Sequence, residues 1–444
     1  MPKKIRDWLF ILFIILFVII TFFVSVYAAG YSLNKRWPPR FDQIFQKTGM
    51  LIVDSEPSGA SIFLNGERRR KSILLDIGRS DALTPQKIKN LPPGEYILML
   101  EKDGYWPLEK KINIYPGQTT FAEDLILFKR SLPLNLSLCA PQTLELSPDN
   151  RRLILPEEGT AINLKTETKS DLGLQLSQGD IQWSKDGARI LFGGKILNLD
   201  NGQSNDTLAM IGQEANNFYW DENGKKIYYQ ADGHINCILT DNNTISTVLS
   251  GSDYVAYTVR GNLIYTIERQ NEQMYLRLYR ADNHLLQNSI NLPAGDYIFK
   301  QDKYHLNLYD RKQKALYLLN DYAQQPINKQ LRPVTAWQWL NASTLMWYNE
   351  FEIYSFDLNS NRQELLIRVS EKLTGAVWNR SKNYIIYANN DEIKIINLNL
   401  DKRLPITLLK AEEISNLALD EKNQLLYFYA KIGQQAGIYK LQLQ

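Results

Sequence analysis

The chain has 444 residues, of which 44% are hydrophobic, and a formal net charge of +3 at pH 7. This length allows more than one domain and a large core, and the nearly balanced charge does not indicate a nucleic-acid ligand. Two cysteines, Cys139 and Cys237, are too few for a disulfide framework, so we interpret them as buried thiols, with one bridge between them as the alternative. His234, His284 and His305 are scattered without metal-ligand spacing.

The first predicted element is a membrane helix. Residues 1–7 form a short basic tail, and residues 8–29 contain no charged side chain. Twenty-two residues that each rise about 1.5 Å span about 33 Å, which is enough for the hydrocarbon core of a bilayer. Trp8 and Tyr27 stand at its two ends, where amphipathic aromatic residues prefer to lie. The alternatives are a signal peptide cleaved after Val26-Tyr27-Ala28, although the apolar run is long for one, and a buried helix of a soluble protein.

Basic residues on the two sides of this helix predict its orientation. Three of them adjoin it on the N-terminal side, whereas three others follow it at a greater distance: Lys3, Lys4 and Arg6, then Lys35, Arg36 and Arg40. Because positive charge favours the cytoplasmic side, we expect a single-pass cell-membrane protein with a cytoplasmic N-terminus and an extracytoplasmic main body. Residues 30–48, which contain Pro38-Pro39, are interpreted as a stalk linker.

Residues 49–128 read as a small β-sandwich. Alternating apolar positions recur in short runs, which are separated by turn signals such as Asn65-Gly66, Asp103-Gly104 and Pro116-Gly117. About five strands in this length are typical of two packed sheets.

Several spaced motifs in this region resemble those of the PEGA domain. The opening Glu56-Pro57-Ser58-Gly59-Ala60 is followed by further landmarks in order: Thr84-Pro85, Leu91-Pro92-Pro93-Gly94-Glu95-Tyr96, Lys102-Asp103-Gly104-Tyr105 and Pro116-Gly117-Gln118. The resemblance implies an extracytoplasmic β-sandwich without enzymatic activity. The chain departs from the family between Gly66 and Thr84, where seventeen residues include the basic run Arg68-Arg69-Arg70-Lys71. This insertion is a solvated loop or, alternatively, a docking site for an anionic polymer or lipid headgroup.

From residue 131 to residue 444 a strand–turn–strand pattern recurs roughly every 35 to 45 residues, a period typical of propellers. Eight turns carry it: Ser147-Pro148-Asp149-Asn150, Ser184-Lys185-Asp186-Gly187, Asp221-Glu222-Asn223-Gly224, Val259-Arg260-Gly261-Asn262, Gln301-Asp302-Lys303, Leu340-Asn341-Ala342-Ser343, Asn379-Arg380-Ser381-Lys382 and Asp420-Glu421-Lys422-Asn423. The pattern predicts an all-β chain ending in an eight-bladed propeller, with seven blades as the alternative if the repeat near residues 251–295 is miscounted. A strand in residues 131–138 is expected to complete the last blade and close the ring.

Tryptophans precede four of these turns and are expected to pack between blades: Trp183, Trp220, Trp339 and Trp378. Trp183-Ser184-Lys185-Asp186-Gly187 resembles the repeat core of TolB-type propellers, whereas the later turns depart from it, so the resemblance implies the fold and carries no function. The turns hold too few acidic groups for calcium loops.

The sequence shows no catalytic motif, and we expect no catalytic residue, cofactor or metal. The favoured function is a membrane-anchored binding or scaffold protein whose propeller engages an envelope protein or polysaccharide. The alternatives are a structural surface component and a carbohydrate-active enzyme with paired carboxylates in the channel. A dense aromatic group is either inter-blade core or a binding patch: Trp337, Trp339, Trp347, Tyr348, Phe351, Tyr354 and Phe356.

Overall fold

The computed structural model describes most of the chain. The described residues are 3–33, 45–70, 81–173, 181–184, 186–212, 214–221, 224–251, 253–302, 304–320, 325–400 and 403–444. Parts of several predicted features lie outside them, namely residues 1–2 of the tail, the middle of the stalk, residues 71–80 of the insertion and short segments of the repeat region.

Helix α1 (Lys3–Ala28) is the long apolar element. Its segment Ile5–Ala28 has a mean hydropathy of 3.3 and is not buried against the rest of the protein, so it is long and apolar enough to cross a membrane. Two short strands follow, β1 (Tyr31–Leu33) and β2 (Phe45–Lys47), and they pair antiparallel. The two ends of the stalk linker therefore lie side by side.

Two sheets pack face to face in the next domain. Its strands are β3 (Gly49–Glu56), β4 (Ser61–Leu64), β5 (Glu67–Arg68), β6 (Gln86–Leu91), β7 (Gly94–Glu101), β8 (Leu108–Ile114) and β9 (Thr119–Ile126). One sheet has the order β6-β3-β9, with β3 and β9 parallel, and the other has the order β5-β4-β7-β8. Alternate residues of β3 are buried, as the alternating sequence predicts, and Leu51 and Val53 lie in the shared core.

The described strands from Leu134 to Gln442 form eight further four-stranded sheets. We name them sheets 1 to 8. Strand β10 (Leu134–Leu138) comes first in the chain and belongs to sheet 8. Sheet 1 contains β11 (Glu145–Leu146), β12 (Arg152–Leu155), β13 (Thr160–Asn163) and β14 (Lys169–Asp171), and sheet 2 contains β15 (Gln182–Trp183), β16 (Arg189–Phe192), β17 (Lys195–Asn198) and β18 (Ser204–Asp206), followed by helix α2 (Thr207–Ile211).

The same order of strands continues around the molecule. Sheet 3 contains β19 (Asn216–Trp220), β20 (Lys226–Ala231), β21 (His234–Leu239) and β22 (Ile245–Ser250), and sheet 4 contains β23 (Tyr254–Arg260), β24 (Leu263–Gln270), β25 (Gln273–Arg280) and β26 (Leu286–Leu292). Sheet 5 contains β27 (Tyr297–Gln301), β28 (Leu306–Asp310), β29 (Ala315–Leu319) and β30 (Ile327–Leu331), and sheet 6 contains β31 (Ala336–Trp339), β32 (Thr344–Tyr348), β33 (Glu352–Asp357) and β34 (Arg362–Arg368). Sheet 7 contains β35 (Gly375–Asn379), β36 (Tyr384–Ala388), β37 (Glu392–Asn397) and β38 (Ile406–Lys410), and sheet 8 is completed by β39 (Glu412–Asp420), β40 (Leu425–Ile432) and β41 (Gln435–Gln442).

The sheets form a closed ring because sheet 8 packs against both sheet 7 and sheet 1. Tyr427 and Tyr429 of sheet 8 share a hydrophobic cluster with Leu153 and Leu155 of sheet 1. Strand β10 pairs antiparallel with β41, with Leu134 opposite Lys440. The early strand thus completes the last sheet, as the closure argument predicts, and this pairing removes an exposed sheet edge.

The described residues of all eight sequence-predicted turns lie at the end of the first strand of a sheet or between its first and second strands. Lys185, Glu222, Asn223 and Lys303 lie outside the described residues. Within the first such turn the Ser147 hydroxyl donates to the Asp149 carboxylate and accepts from the Arg152 backbone N–H. Ser184 and Asp186 repeat this arrangement in sheet 2, which explains the Ser-x-Asp signature. The weakly matching segment near residues 251–295 contains a complete four-stranded sheet, β23–β26.

The four tryptophans before these turns pack at the junctions between sheets. Trp183 contacts the cluster of sheets 1 and 2, and Trp378 lies in the cluster that joins sheets 6 and 7. Glutamines add polar links between consecutive first strands. The Gln338 side chain accepts from Trp378 N at 3.0 Å and donates to Trp378 O at 3.2 Å, and Gln182 makes the equivalent bonds to sheet 3.

The β-sandwich is joined to the ring by a buried contact. Ile126 and Phe128, at the end of the sandwich, lie in one core cluster with Tyr384 and Leu443 of the ring. Phe128 and Tyr384 meet edge to face, with ring centroids 5.2 Å apart. Because apolar side chains of both parts share this core, the contact holds the sandwich against sheets 7 and 8.

Candidate functional site

The ring has two unequal faces. The turns between first and second strands and between third and fourth strands form the proximal face, which carries the β-sandwich: Lys382, in the β35–β36 turn, pairs with Glu56 at 2.7 Å. The turns between second and third strands, together with the links between sheets, form the distal face. This face points away from the sandwich because strands of one sheet run antiparallel between the two faces.

Side chains from several sheets meet at the proximal mouth of the central channel. Arg380 of sheet 7 donates to the Tyr304 hydroxyl of sheet 5 at 3.3 Å and pairs with Glu421 of sheet 8 at 3.0 Å. Arg260 of sheet 4 donates to Tyr304 O at 2.6 Å. Because these contacts link four sheets across the mouth, polar side chains occupy much of the proximal opening.

Two acidic side chains on the ring, Glu145 and Asp302, have pKa values raised by burial. Burial raises the pKa of the Glu145 carboxyl on β11, and the charge of Lys300 on β27 opposes this rise. Burial also raises the pKa of Asp302, but its carboxylate already accepts from the backbone N–H groups of Tyr304 and His305 at 2.7 and 2.8 Å. Asp302 therefore caps a turn.

Two depressions open beside sheets 5 and 6, and both include Thr335 in their walls. The channel-side depression, of about 350 Å³, is lined by Ile298, Lys300, Gln301, Asp302, Asn307, Tyr309, Arg311, Thr335, Ala336 and Trp337. The outer depression, of about 470 Å³, is lined by Lys314, Pro333, Thr335, Asn349, Glu350, Phe351 and Glu352. The outer depression lies on the distal face, and the channel-side depression extends from Thr335 toward the proximal turn at Asp302; we call the two together the distal site.

Aromatic rings and cations lie together in the channel-side depression. The Lys300 ammonium is 5.8 Å from the centroid of the Trp337 ring, and the Tyr309 ring lies 5.1 Å from that of Trp337 at a tilt of 49°. The Tyr309 hydroxyl donates to Val334 O, which fixes the ring. The half-buried Trp337 ring therefore already has a cation and a second aromatic ring as neighbours.

The outer depression combines an exposed apolar side chain with charges of both signs. Phe351 is 44% exposed. Beside it, the Glu350 carboxylate bonds to Lys372 and Lys314 at 3.1 and 3.2 Å, and these two ammonium groups hold its pKa below the ordinary value. Such a surface, with an apolar side chain surrounded by ion pairs, has the composition of a protein-binding patch.

The structure separates the predicted aromatic group into core and surface. Four members are buried, namely Trp339, Trp347, Tyr348 and Phe356. Trp337 and Tyr354 are half-buried, and Phe351 is exposed. Inter-blade core is thus the main role of the group, and only Trp337 and Phe351 line the distal site. Lys300, Tyr309 and Arg311 carried no motif, and their positions on neighbouring strands became visible only in the fold.

The described part of the basic run is partly neutralised. Arg68 pairs with Asp81 at 3.0 Å, and its guanidinium lies 5.8 Å from the Phe63 ring centroid. These contacts agree with the interpretation of this part of the insertion as a surface loop rather than a docking site. Lys71 lies outside the described residues.

The cysteines and acidic groups were the remaining candidates for chemistry. Cys139 and Cys237 are both free thiols, so the alternative of a bridge between them is wrong. Burial raises the pKa of Cys237 to about 11, which makes this thiol a poor nucleophile. Among the described residues no group of three or more His, Cys, Asp or Glu side chains is placed to hold a metal ion.

Comparisons with known proteins identify the domain that contains the β-sandwich. The family model of the PEGA domain matches residues 48–124, which confirms the resemblance of the β-sandwich. No curated protein matches the chain. Similar solved structures include the C-terminal WD40 domain of Sif2 (11% identity, 70% of this chain and 97% of that one, TM-score 0.44) and an oligogalacturonate lyase in complex with manganese (12% identity, 69% and 97%, TM-score 0.40). A eukaryotic initiation factor is also similar (11% identity, 75% and 95%, TM-score 0.47).

Proposed function

We propose that the protein is a membrane-anchored, non-catalytic scaffold that engages a protein of the cell envelope through its distal site, with its main body outside the cytoplasm. One observation carries this proposal. The distal site presents the exposed Phe351 beside Lys314, Glu350 and Lys372 on the face turned away from the PEGA domain. A partner that covers this patch buries an aromatic side chain at its centre and meets ion pairs at its rim.

A protein partner is favoured over a polysaccharide by the state of the Trp337 ring. Carbohydrate recognition uses free aromatic faces, whereas Lys300 and Tyr309 already contact this ring. A glycoside hydrolase typically uses paired carboxylates about 5–10 Å apart. The Asp302 carboxylate caps a turn through two backbone N–H groups, which is a structural role, and Glu145 has Lys300 and Glu157 as charged neighbours.

The test is site-specific photo-crosslinking of the full-length protein in cells. A photoreactive phenylalanine analogue replaces Phe351, and the matched control carries it at Leu365, which is similarly exposed at 42% but lies on the outer strand β34. We expect one discrete protein adduct from position 351 and none from position 365. A protease-resistant adduct would instead indicate a polysaccharide, and equal patterns from both positions would remove the support for the distal site.

Position 351 also tests on which side of the membrane the main body lies. A cysteine introduced at Phe351, in intact cells whose outer barrier has been permeabilised, is expected to react with a maleimide that cannot cross the cell membrane. Cys237 is buried and Cys139 is partly buried, so the unsubstituted protein provides the background. Labelling that requires lysis of the cell membrane would place the ring in the cytoplasm and contradict the proposal.

A further inference from the structure

The chain returns to the end of α1 before the PEGA domain begins. Gly30, with φ +84°, follows the helix, and its N–H donates to Tyr27 O at 3.0 Å. Gly30 O then accepts two hydrogen bonds from Thr48, from the backbone N–H and from the hydroxyl, each at 2.7 Å. The buried Thr48 therefore fixes the start of the domain directly beside the end of the helix.

The β8–β9 turn of the PEGA domain, residues 115–118, is attached to the same point. Gly117 N donates to Thr48 O at 2.9 Å, and Met50 N donates to Gln118 O at 2.9 Å. A side chain at Gly49 would place its Cβ 2.5 Å from Tyr115 O, so the absence of one lets β3 and the turn approach closely. Thr48 thus bridges the helix end and this turn.

The side chains around this point have the chemistry of a membrane interface. Tyr27, Tyr31 and Tyr115 are 61%, 38% and 54% exposed. The aliphatic stem of Lys47 lies against Gly117, and the residue is exposed. Tyrosine rings prefer the headgroup level, and lysine stems extend along apolar surface while the ammonium reaches water or lipid phosphate.

We propose that the helix-exit surface, which consists of Tyr31, Lys47 and residues 115–118, rests in the headgroup layer of the bilayer that α1 crosses. The occupant is lipid, because the surface is hydrogen-bonded to the end of a helix whose apolar length matches the hydrocarbon core. This inference concerns the membrane-facing end of the molecule and requires no protein partner.

If the helix-exit surface rests on the bilayer, the ring is held at a defined distance from the membrane. Strands β3 and β9 run parallel from the helix-exit surface to the ring contact at Ile126 and Phe128. Eight extended residues of β3 cover about 26 Å. The PEGA domain therefore acts as a rigid spacer of that length, and it turns the distal face away from the bilayer.

Lipid crosslinking with the full-length protein tests whether the helix-exit surface contacts lipid headgroups. The protein is reconstituted into nanodiscs of phosphatidylethanolamine and phosphatidylglycerol, and the photoreactive phenylalanine analogue is placed singly at Tyr115, Ile97 or Phe351. Ile97, 46% exposed, is the matched control because it lies on the same domain, in the middle of β7. The analogue at Tyr27 reports whether α1 is in the bilayer. Lipid adducts are measured by mass spectrometry.

We expect lipid adducts at positions 27 and 115 and none at 97 or 351. Adducts at 27 without adducts at 115 would overturn the proposal, and so would equal yields at 115 and 97, which would indicate non-specific contact. Failure at position 27 would show that α1 does not lie in the bilayer and would also overturn it. Insertion of about ten Gly and Ser residues between Gly30 and Tyr31 should lower the yield at 115 by about half or more, because a flexible linker releases the domain.

Discussion

Truncation of Phe128 should separate the PEGA domain from the ring. This side chain is 2% exposed and meets Tyr384 edge to face at 5.2 Å. Phenylalanine-to-alanine changes in a core cost about 3–5 kcal/mol, and partial collapse of the interface favours the lower end, about 3 kcal/mol. The loss acts at the junction and extends into the adjoining ring core, since Phe128 shares one cluster with buried residues of sheets 7 and 8.

Hydrogen exchange of the full-length protein in nanodiscs measures this cost locally. Lys129 N donates to Leu443 O at 2.8 Å across the junction. A local destabilisation of about 3 kcal/mol corresponds to exchange about 100-fold faster at this amide in Phe128→Ala. The matched control is Phe121→Ala, because Phe121 belongs to the same domain and is 61% exposed. If both variants exchange alike at Lys129, the reasoning that this contact holds the two parts together is wrong.

Three further predictions concern the ring. Gln338→Ala leaves Trp378 N and O without their partners and should cost about 1–3 kcal/mol in denaturant unfolding. Gly437→Ala should lower the unfolding temperature, because a Cβ there would lie 2.1 Å from Ser137 O in the closing pair β10–β41. Glu352, whose pKa is lowered to about 2 mainly by the Tyr354 hydroxyl, stabilises the fold above about pH 4.5; this contribution is lost as pH falls toward 2, and Glu352→Gln should remove it.

Two of these variants have a control variant within the chain, and Glu352→Gln is compared with the unsubstituted protein. Gln363→Ala, at an exposed position of β34, should stay within about 0.5 kcal/mol of the unsubstituted protein. Gly261→Asn should be tolerated, because nothing lies within 4 Å of the added Cβ and asparagine accepts the positive φ. For Glu352→Gln, unfolding temperatures that fall as steeply as those of the unsubstituted protein between pH 5 and pH 2 would contradict the assigned pKa.

The order of strands and turns could be predicted from the sequence, because the contacts that form the turns join residues close together in the chain. Turn residues such as Ser147 and Asp149 bond to their own backbone within a few residues, so their signal survives in a linear sequence. The PEGA landmarks and the apolar run of α1 are local in the same sense. The closing strand was predictable because the last repeat lacked a partner for its edge.

The sequence by itself therefore determined the long apolar helix, the PEGA domain and a chain of β repeats, since each depends on spacing between near neighbours. Only the tertiary structure decided which face of the ring is distal, which aromatic side chains are exposed, and that Thr48 returns to Gly30. The distal site joins Lys300 to Trp337, which lie on different sheets. Such proximity depends on how whole sheets pack, and no periodicity within a single strand encodes it.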